Sequence, residues 1–365
     1  MSKKTLLRWV PIFALLLTVL PATAQDFAPQ VQREVAKMRK ALNAKSDTDP
    51  GWKDLKPNIS FFLGNAETAL AAGQNYLALE QFIKASSIFN AKEYADQHYT
   101  PQSGLEGFES QWKRVSAEVS SFDNTARNRQ WAKFPVAVRA LSESAAGKVD
   151  ILLHAGEAYA KVTTPETGYY YLGQTKTLAD LANFCYGLNT ARRGSPFPVR
   201  SIAPELRALQ ARVYAAFQPP RSIDKHPLFI TLSATLKTAF DLDSAGLYAG
   251  ALYQYLDAVR QLSSMEMPDL DAAARTQLES ALSKAKEQLY STRLDDSIAE
   301  LWVQKAESLI TPKNGKEPAP DDWKAANAIV TELLPAYSAM INTVPTEPPT
   351  FKRSTRITLV RWPYT

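Results

Sequence analysis

The sequence predicts an all-α protein built from antiparallel helical hairpins. Three observations carry that expectation. Apolar residues recur at steps of three and four almost throughout, whereas the body shows no sustained period-two alternation. Alanine is abundant on the apolar stripes, so neighbouring helices can approach closely. Finally, Pro101, Pro165, Pro204, Pro268, Pro312 and Pro320 stand at or near expected helix starts, where a missing amide costs little.

The elements follow in order. Lys3, Lys4 and Arg8 precede an apolar run from Trp9 to Leu20, and Ala22-Thr23-Ala24 follows. That order reads as a secretory signal peptide over 1–24, cut after Ala24, and places the mature chain in the periplasm or outside the cell. Cleavage lowers the formal charge from +5 to +2. Lys352, Arg353, Arg356 and Arg361 lie near the C-terminus, so the folded body is near neutral. A nucleic-acid binder would need a basic stripe, and none is visible. No later apolar run is long enough to span a bilayer.

The spacing places an N-terminal helical half over 25–186. It opens with Val31, Val35, Met38 and Leu42 on one stripe. Leu105, Phe108, Trp112, Val115, Val119 and Phe122 keep the same rhythm, and further helices are expected at 148–162 and 168–186. Residues 123–145 read as extra material. The glycines, prolines and arginines of 187–204 mark a linker. A C-terminal half follows over 205–345, with helices expected at 270–290, 294–310 and 321–342. Residues 346–365 form a basic extended arm, STRITLVRWPY at its heart. This arm either docks on a partner or an anionic surface or folds back on its own helices.

One stretch occurs twice. AAGQNYLALEQFIKA at 71–85 and SAGLYAGALYQYLDA at 244–258 lie 173 positions apart. Ala66, Gly73, Ala78, Phe82 and Ala85 correspond to Ala239, Gly246, Ala251, Tyr255 and Ala258. Each glycine ends a helix in the left-handed conformation. In the next helix, small residues admit the partner and an aromatic fills the groove. The pattern resembles the tetratricopeptide helical hairpin, with its A-x-x-x-F-x-x-A second helix. The family's closing proline is replaced by Asn90 and Ser263, and its 34-residue period is missing. The resemblance covers about fifty residues of 365. It implies α-solenoid or right-angled helical packing and a role in gripping other proteins or peptides. Similar neighbours around the two copies predict two duplicated halves.

The chemistry-bearing residues are few. Cys185, the only cysteine, sits in an apolar helical context and reads as a buried inert thiol. His98 falls in an expected loop, His154 lies mid-helix beside Glu157, and His226 lies in a break. None of the three has metal-site spacing. No phosphate-binding glycine loop and no nucleophile elbow occurs. The sequence therefore names no catalytic residue, cofactor or metal. The acidic pairs Asp241/Asp243, Asp295/Asp296 and Asp321/Asp322 serve either as helix caps or, in an α/α toroid, as glycan-cleaving carboxylates.

The resulting expectation is an exported binding or scaffold protein with a protein or peptide partner and room for cell-envelope association. The rival is a secreted glycan-active enzyme. The candidate binding surface comprises Tyr169, Tyr170 and Tyr171, with Arg356, Arg361, Trp362 and Tyr364 of the arm.

Overall fold

The computed structural model describes residues 26–197, 199–218, 223–291, 293–312 and 316–342. The expected signal peptide and the arm residues Arg356, Arg361, Trp362 and Tyr364 lie outside the described residues. Helix α1 (Ala28–Asn43) enters through Pro29 and buries Val31, Val35, Met38 and Leu42. A short helix, α2 (Pro50–Lys53), leads into α3 (Lys56–Ala71) and α4 (Asn75–His98). Then come α5 (Gly104–Arg127), α6 (Val136–Ala146), α7 (Val149–Val162) and α8 (Pro165–Tyr186). After an irregular segment the chain continues through α9 (Ala203–Ala216), α10 (His226–Ser244), α11 (Tyr248–Glu266) and α12 (Ala272–Gln288). The last elements are α13 (Ser297–Ile310), α14 (Pro320–Ala328) and α15 (Leu334–Asn342). A π-turn over Ile329–Leu333 joins α14 to α15. It precedes Pro335, which has no amide to offer an ordinary helical turn.

The fold is all-α: no strand forms among the described residues, and Ser195 and Leu294 make an isolated bridge. No described helix is long and apolar enough to cross a membrane.

The two hairpins close identically. Gly73 and Gly246 have φ of 71° and 77°, in the left-handed region. In the first, Gln74 N donates to Ala69 O and Gly73 N to Leu70 O. In the second, Leu247 N donates to Leu242 O and Gly246 N to Asp243 O. These are the paired bonds of the Schellman turn, which satisfy the last carbonyls of α3 and α10. Ala66, Ala78, Ala85, Ala239, Ala251 and Ala258 are fully buried at the helix contacts, Phe82 is buried and Tyr255 is half-buried.

The contacts around each hairpin recur. Helix α1 packs on α3 and α4, as α9 does on α10 and α11. Helix α8 lies along α4, α5 and α7, as α14 does along α11, α12 and α13. Helix α6, within the segment read as extra, lacks a counterpart in this scheme. It lies between α8 and α11 and touches both, so it joins the two sets into one continuous core. Glycines allow these approaches: a Cβ at Gly250 would sit 2.9 Å from the Glu143 Cβ, and one at Gly173 would sit 2.8 Å from the Ala91 backbone.

Residues 187–204 are stitched to both sides. Arg192 N donates to Lys133 O, Ser195 N to Arg293 O, and Asp295 N to Ser195 O. Gly194, at φ 81°, lies so near Leu294 O that a Cβ would fall within 2.5 Å of it. The segment is thus a strap packed along the seam, and Leu188, Thr190 and Ile202 are buried.

Candidate functional site

Two polar features lie between the two sets of helices, one where α4 meets α11 and α13 and the other beside α6 and the strap. The first is a cluster of charges on α4, α11 and α13. Glu80 stands one turn into α4 within YLALEQF and is 2% exposed. Its Oε1 accepts from Lys84 Nζ at 2.6 Å, Tyr253 OH at 2.7 Å and Lys305 Nζ at 3.0 Å. Glu80 Oε2 is buried without a hydrogen-bond partner. Glu80 and Tyr253 occupy the same position in the two copies of the hairpin, so the copies meet at equivalent residues. One turn beyond Tyr253, Asp257 accepts from Arg260 Nε at 2.9 Å and from Gln261. The Lys305 ammonium lies 4.3 Å over the Trp302 ring.

Electrostatics fix the protonation of this cluster. Burial alone would raise both carboxyl groups. Lys305 and Lys84 outweigh it at Glu80 and hold that carboxyl well below the usual range. At Asp257, Arg260 and Lys305 bring the value down to about 2. Burial and the Glu80 charge push the Tyr253 phenol well up. The acids are therefore ionised and the phenol protonated across ordinary pH. A general acid or base needs a value near the working pH, so this arrangement holds charge and moves no proton.

The second feature is a cavity of about 250 Å³ on the seam. Arg129, Trp131 and Phe134 on the approach to α6 contribute to it, with Val136, Arg139 and Glu143 of α6 itself. The strap adds Arg192, Phe197 and Val199, and Gly246, Leu247 and Asp295 complete the lining. Its carboxylates are committed to helix starts. Asp295 Oδ2 accepts from Val136 N at 2.7 Å, beside Ser297 Oγ accepting from Ala137 N at 3.0 Å. Glu143 Oε2 accepts from Gly250 N at 2.9 Å, while its Oε1 holds Arg139 Nε at 2.6 Å. Asp295 is buried, and burial pushes its carboxyl upward against these hydrogen bonds.

The other acidic pairs cap helices or pair on the surface. Asp243 accepts from Ile202 N and Ser201 Oγ, and Asp241 pairs with Lys237. Asp322 accepts from Ala319 N, and Asp321 pairs with Lys324. Asp296 accepts from Tyr290 N at 2.8 Å.

The tyrosine triplet divides differently from its expectation as a surface. Tyr169 is buried against Phe108 and Tyr99, so it belongs to the core, where Gly168 and Ala160 bring α7 and α8 close. Tyr170 and Tyr171 are half-buried. Tyr171 stacks flat on exposed Tyr159, their centroids 4.9 Å apart. His98 ends α4, stacked on Tyr94, and does not lie in a loop. Exposed His154 faces Asp150 at 3.5 Å, while Glu157 pairs with Lys161. Cys185 is fully buried, and burial pushes its thiol up to about 12.

The sequence places Lys305 on the apolar stripe of Ile298, Leu301, Trp302 and Leu309 but assigns no site role to it, to Glu80, to Asp257 or to the three cavity arginines. One signal existed: a glutamate inside an otherwise apolar run such as YLALEQF demands a buried partner. No known protein family, no curated protein and no solved structure matches this chain.

Proposed function

We propose that this is an exported, non-catalytic binding protein of the periplasm or cell envelope, built from two duplicated, TPR-like helical halves and directed to a protein or peptide partner. The observation that carries the binding reading is an apolar, aromatic strip on the outer side of α7. Ile151, Tyr159 and Val162 are exposed there, Val162 at 82%, and Tyr171 extends the strip by stacking on Tyr159. Exposed apolar residues grouped on one helix mark contact surfaces. The recurring contacts around the Gly73 and Gly246 turns support the duplication. The signal-like N-terminus supports export.

The glycan-enzyme reading finds little support. Its three acidic pairs are engaged in caps and ion pairs, and the central acids are held ionised.

The test is crosslinked capture from native envelope extract, followed by identification of the bound protein. The baits are residues 25–365, the same chain ended at Pro345, and a full-length Tyr159→Ser/Val162→Ser variant. We expect one defined partner on the first two baits and its loss from the third. Retention of that partner by the double variant moves recognition off α7. Capture by the full-length bait alone moves it to the arm. Failure of all baits, together with depolymerisation of an envelope glycan, overturns the proposal in favour of the enzyme.

A further inference from the structure

The seam cavity combines surplus positive charge with apolar walls, and its charges can be followed one by one. Glu143 and Asp295 spend their oxygens on the starts of α11 and α6 and on Arg139. The three arginines are less fully occupied. Arg129, 9% exposed, has no carboxylate partner among the described residues. Its Nη atoms donate to the Ala182 carbonyl, Ser142 and Asn183, and its Nε has no hydrogen-bond partner. Arg192 donates to the carbonyls of Ala132 and Gly194 through Nη1 and Nε, and no protein acceptor meets its Nη2 among the described residues. Arg139 engages Glu143 through Nε, leaving its Nη donors without an acceptor there. Three cations thus face two carboxylates that are already engaged. The lining also includes the apolar residues Trp131, Phe134, Phe197, Val199 and Leu247. The aromatic rings are held by their neighbours: Trp131 packs edge-on to Phe134, and Phe197 stacks on Tyr337.

We propose that this cavity binds a small organic anion, with one carboxylate or phosphate group held by Arg139 and Arg192 and an apolar body against the aromatic walls. Guanidinium groups suit such ligands because their N–H donors match two acid oxygens at once. A volume of about 250 Å³ equals roughly eight waters at ~30 Å³ each, room for an acid group on a single ring. Arg192, Phe197 and Val199 of the strap line the cavity beside residues of α6, so occupancy would also tie the strap to α6. This site is separate from the α7 strip, so neither reading depends on the other.

The test is titration calorimetry of the mature chain with phenylacetate, phenyl phosphate and neutral phenylacetamide. At least one anion should bind with 1:1 stoichiometry and at least tenfold more tightly than the amide. The tighter anion assigns the head group. Arg192→Gln should weaken that anion at least fivefold. Val199→Trp, which fills the cavity and leaves every charge in place, should abolish binding even if Arg192→Gln fails to fold. Absence of binding by both anions overturns the proposal. So does equal affinity for the amide, or unchanged anion affinity in a folded Val199→Trp variant.

Discussion

Replacing Glu80 with glutamine tests whether charge ties α4 to α13 beside the point where the two hairpins meet. The amide keeps the shape and can still accept from Tyr253, but it removes the charge that holds Lys305 and Lys84. Lys84 is 40% exposed and can return to water. The Lys305 side chain is 14% exposed and loses its direct ion pair beside Tyr253 and Trp302, keeping only the more distant Asp257 charge. Removing one partner of a buried pair costs about 3–5 kcal/mol. The retained Tyr253 bond and the exposure of Lys84 place this case near the lower end, at about 3 kcal/mol. A chain of this length unfolds with an entropy of roughly 0.7 kcal/mol per degree, so Tm should fall by about 4 °C. Adding Lys305→Met should restore at least half of the loss, because the cation left without its direct partner disappears. Thermal unfolding followed by circular dichroism at pH 7 reads both variants. A drop under about 1 °C for Glu80→Gln, or no recovery in the double variant, refutes the charge tie.

Acid should loosen the same cluster. Glu80 and Asp257 have folded values below their unfolded ones, Asp257 at about 2. Their contribution is therefore complete only above about pH 5 and is lost progressively as the pH falls toward 2. Asp295 is pushed upward and works in the opposite direction over its own range. Midpoints of urea unfolding across pH 2–7 should drop below about pH 5, and less so in Glu80→Gln. Alanine at Gly73 or at Gly246 meets open space but a positive φ. Each should destabilise by about 1 kcal/mol, to a similar extent, and a rise in Tm at either turn contradicts the shared closure. Cys185 should resist a thiol reagent at pH 8 in the native chain and react on unfolding, as its burial and raised value require. Expressed alone, residues 25–186 should melt broadly, without the cooperative transition of the whole chain.

Much of the fold was legible because its signals are local. The stripes Val31–Val35–Met38–Leu42 and Leu105–Phe122 are helix faces whose period can be read directly. Gly73 and Gly246 announce their turns because only glycine fits a left-handed closure cheaply. Helix starts were less legible. Helices α4, α6 and α11 begin after Gln74, Pro135 and Leu247, none of which caps its own helix with a side chain. Three consecutive helical tyrosines point in different directions, so the sequence requires at least one of Tyr169, Tyr170 and Tyr171 to be exposed without saying which. The sequence does not say which direction meets α5, and that contact buries Tyr169 against Phe108.

The missing caps come from far along the chain. Gln304 accepts from Leu77 N at the start of α4, Asp295 and Ser297 serve the start of α6, and Glu143 serves the start of α11. The partners lie between 107 and 227 positions away. An uncapped helix start leaves amide donors unmet, and losing such a cap costs about 1 kcal/mol. Distant helices therefore complete one another. Helix α6 supplies Glu143 to α11, and the chain at and before α13 supplies Gln304, Asp295 and Ser297 to α4 and α6. This exchange draws polar residues from distant parts of the chain to one seam. At the cavity, Glu143 both caps α11 and holds Arg139, whereas Glu80 and Asp257 of the charge cluster cap no helix and are met by Lys84, Lys305 and Arg260. Where the arginines outnumber the carboxylates left to meet them, as around Arg139 and Arg192, the seam keeps unspent donors. Capping accounts for the carboxylates there and leaves those donors to a ligand.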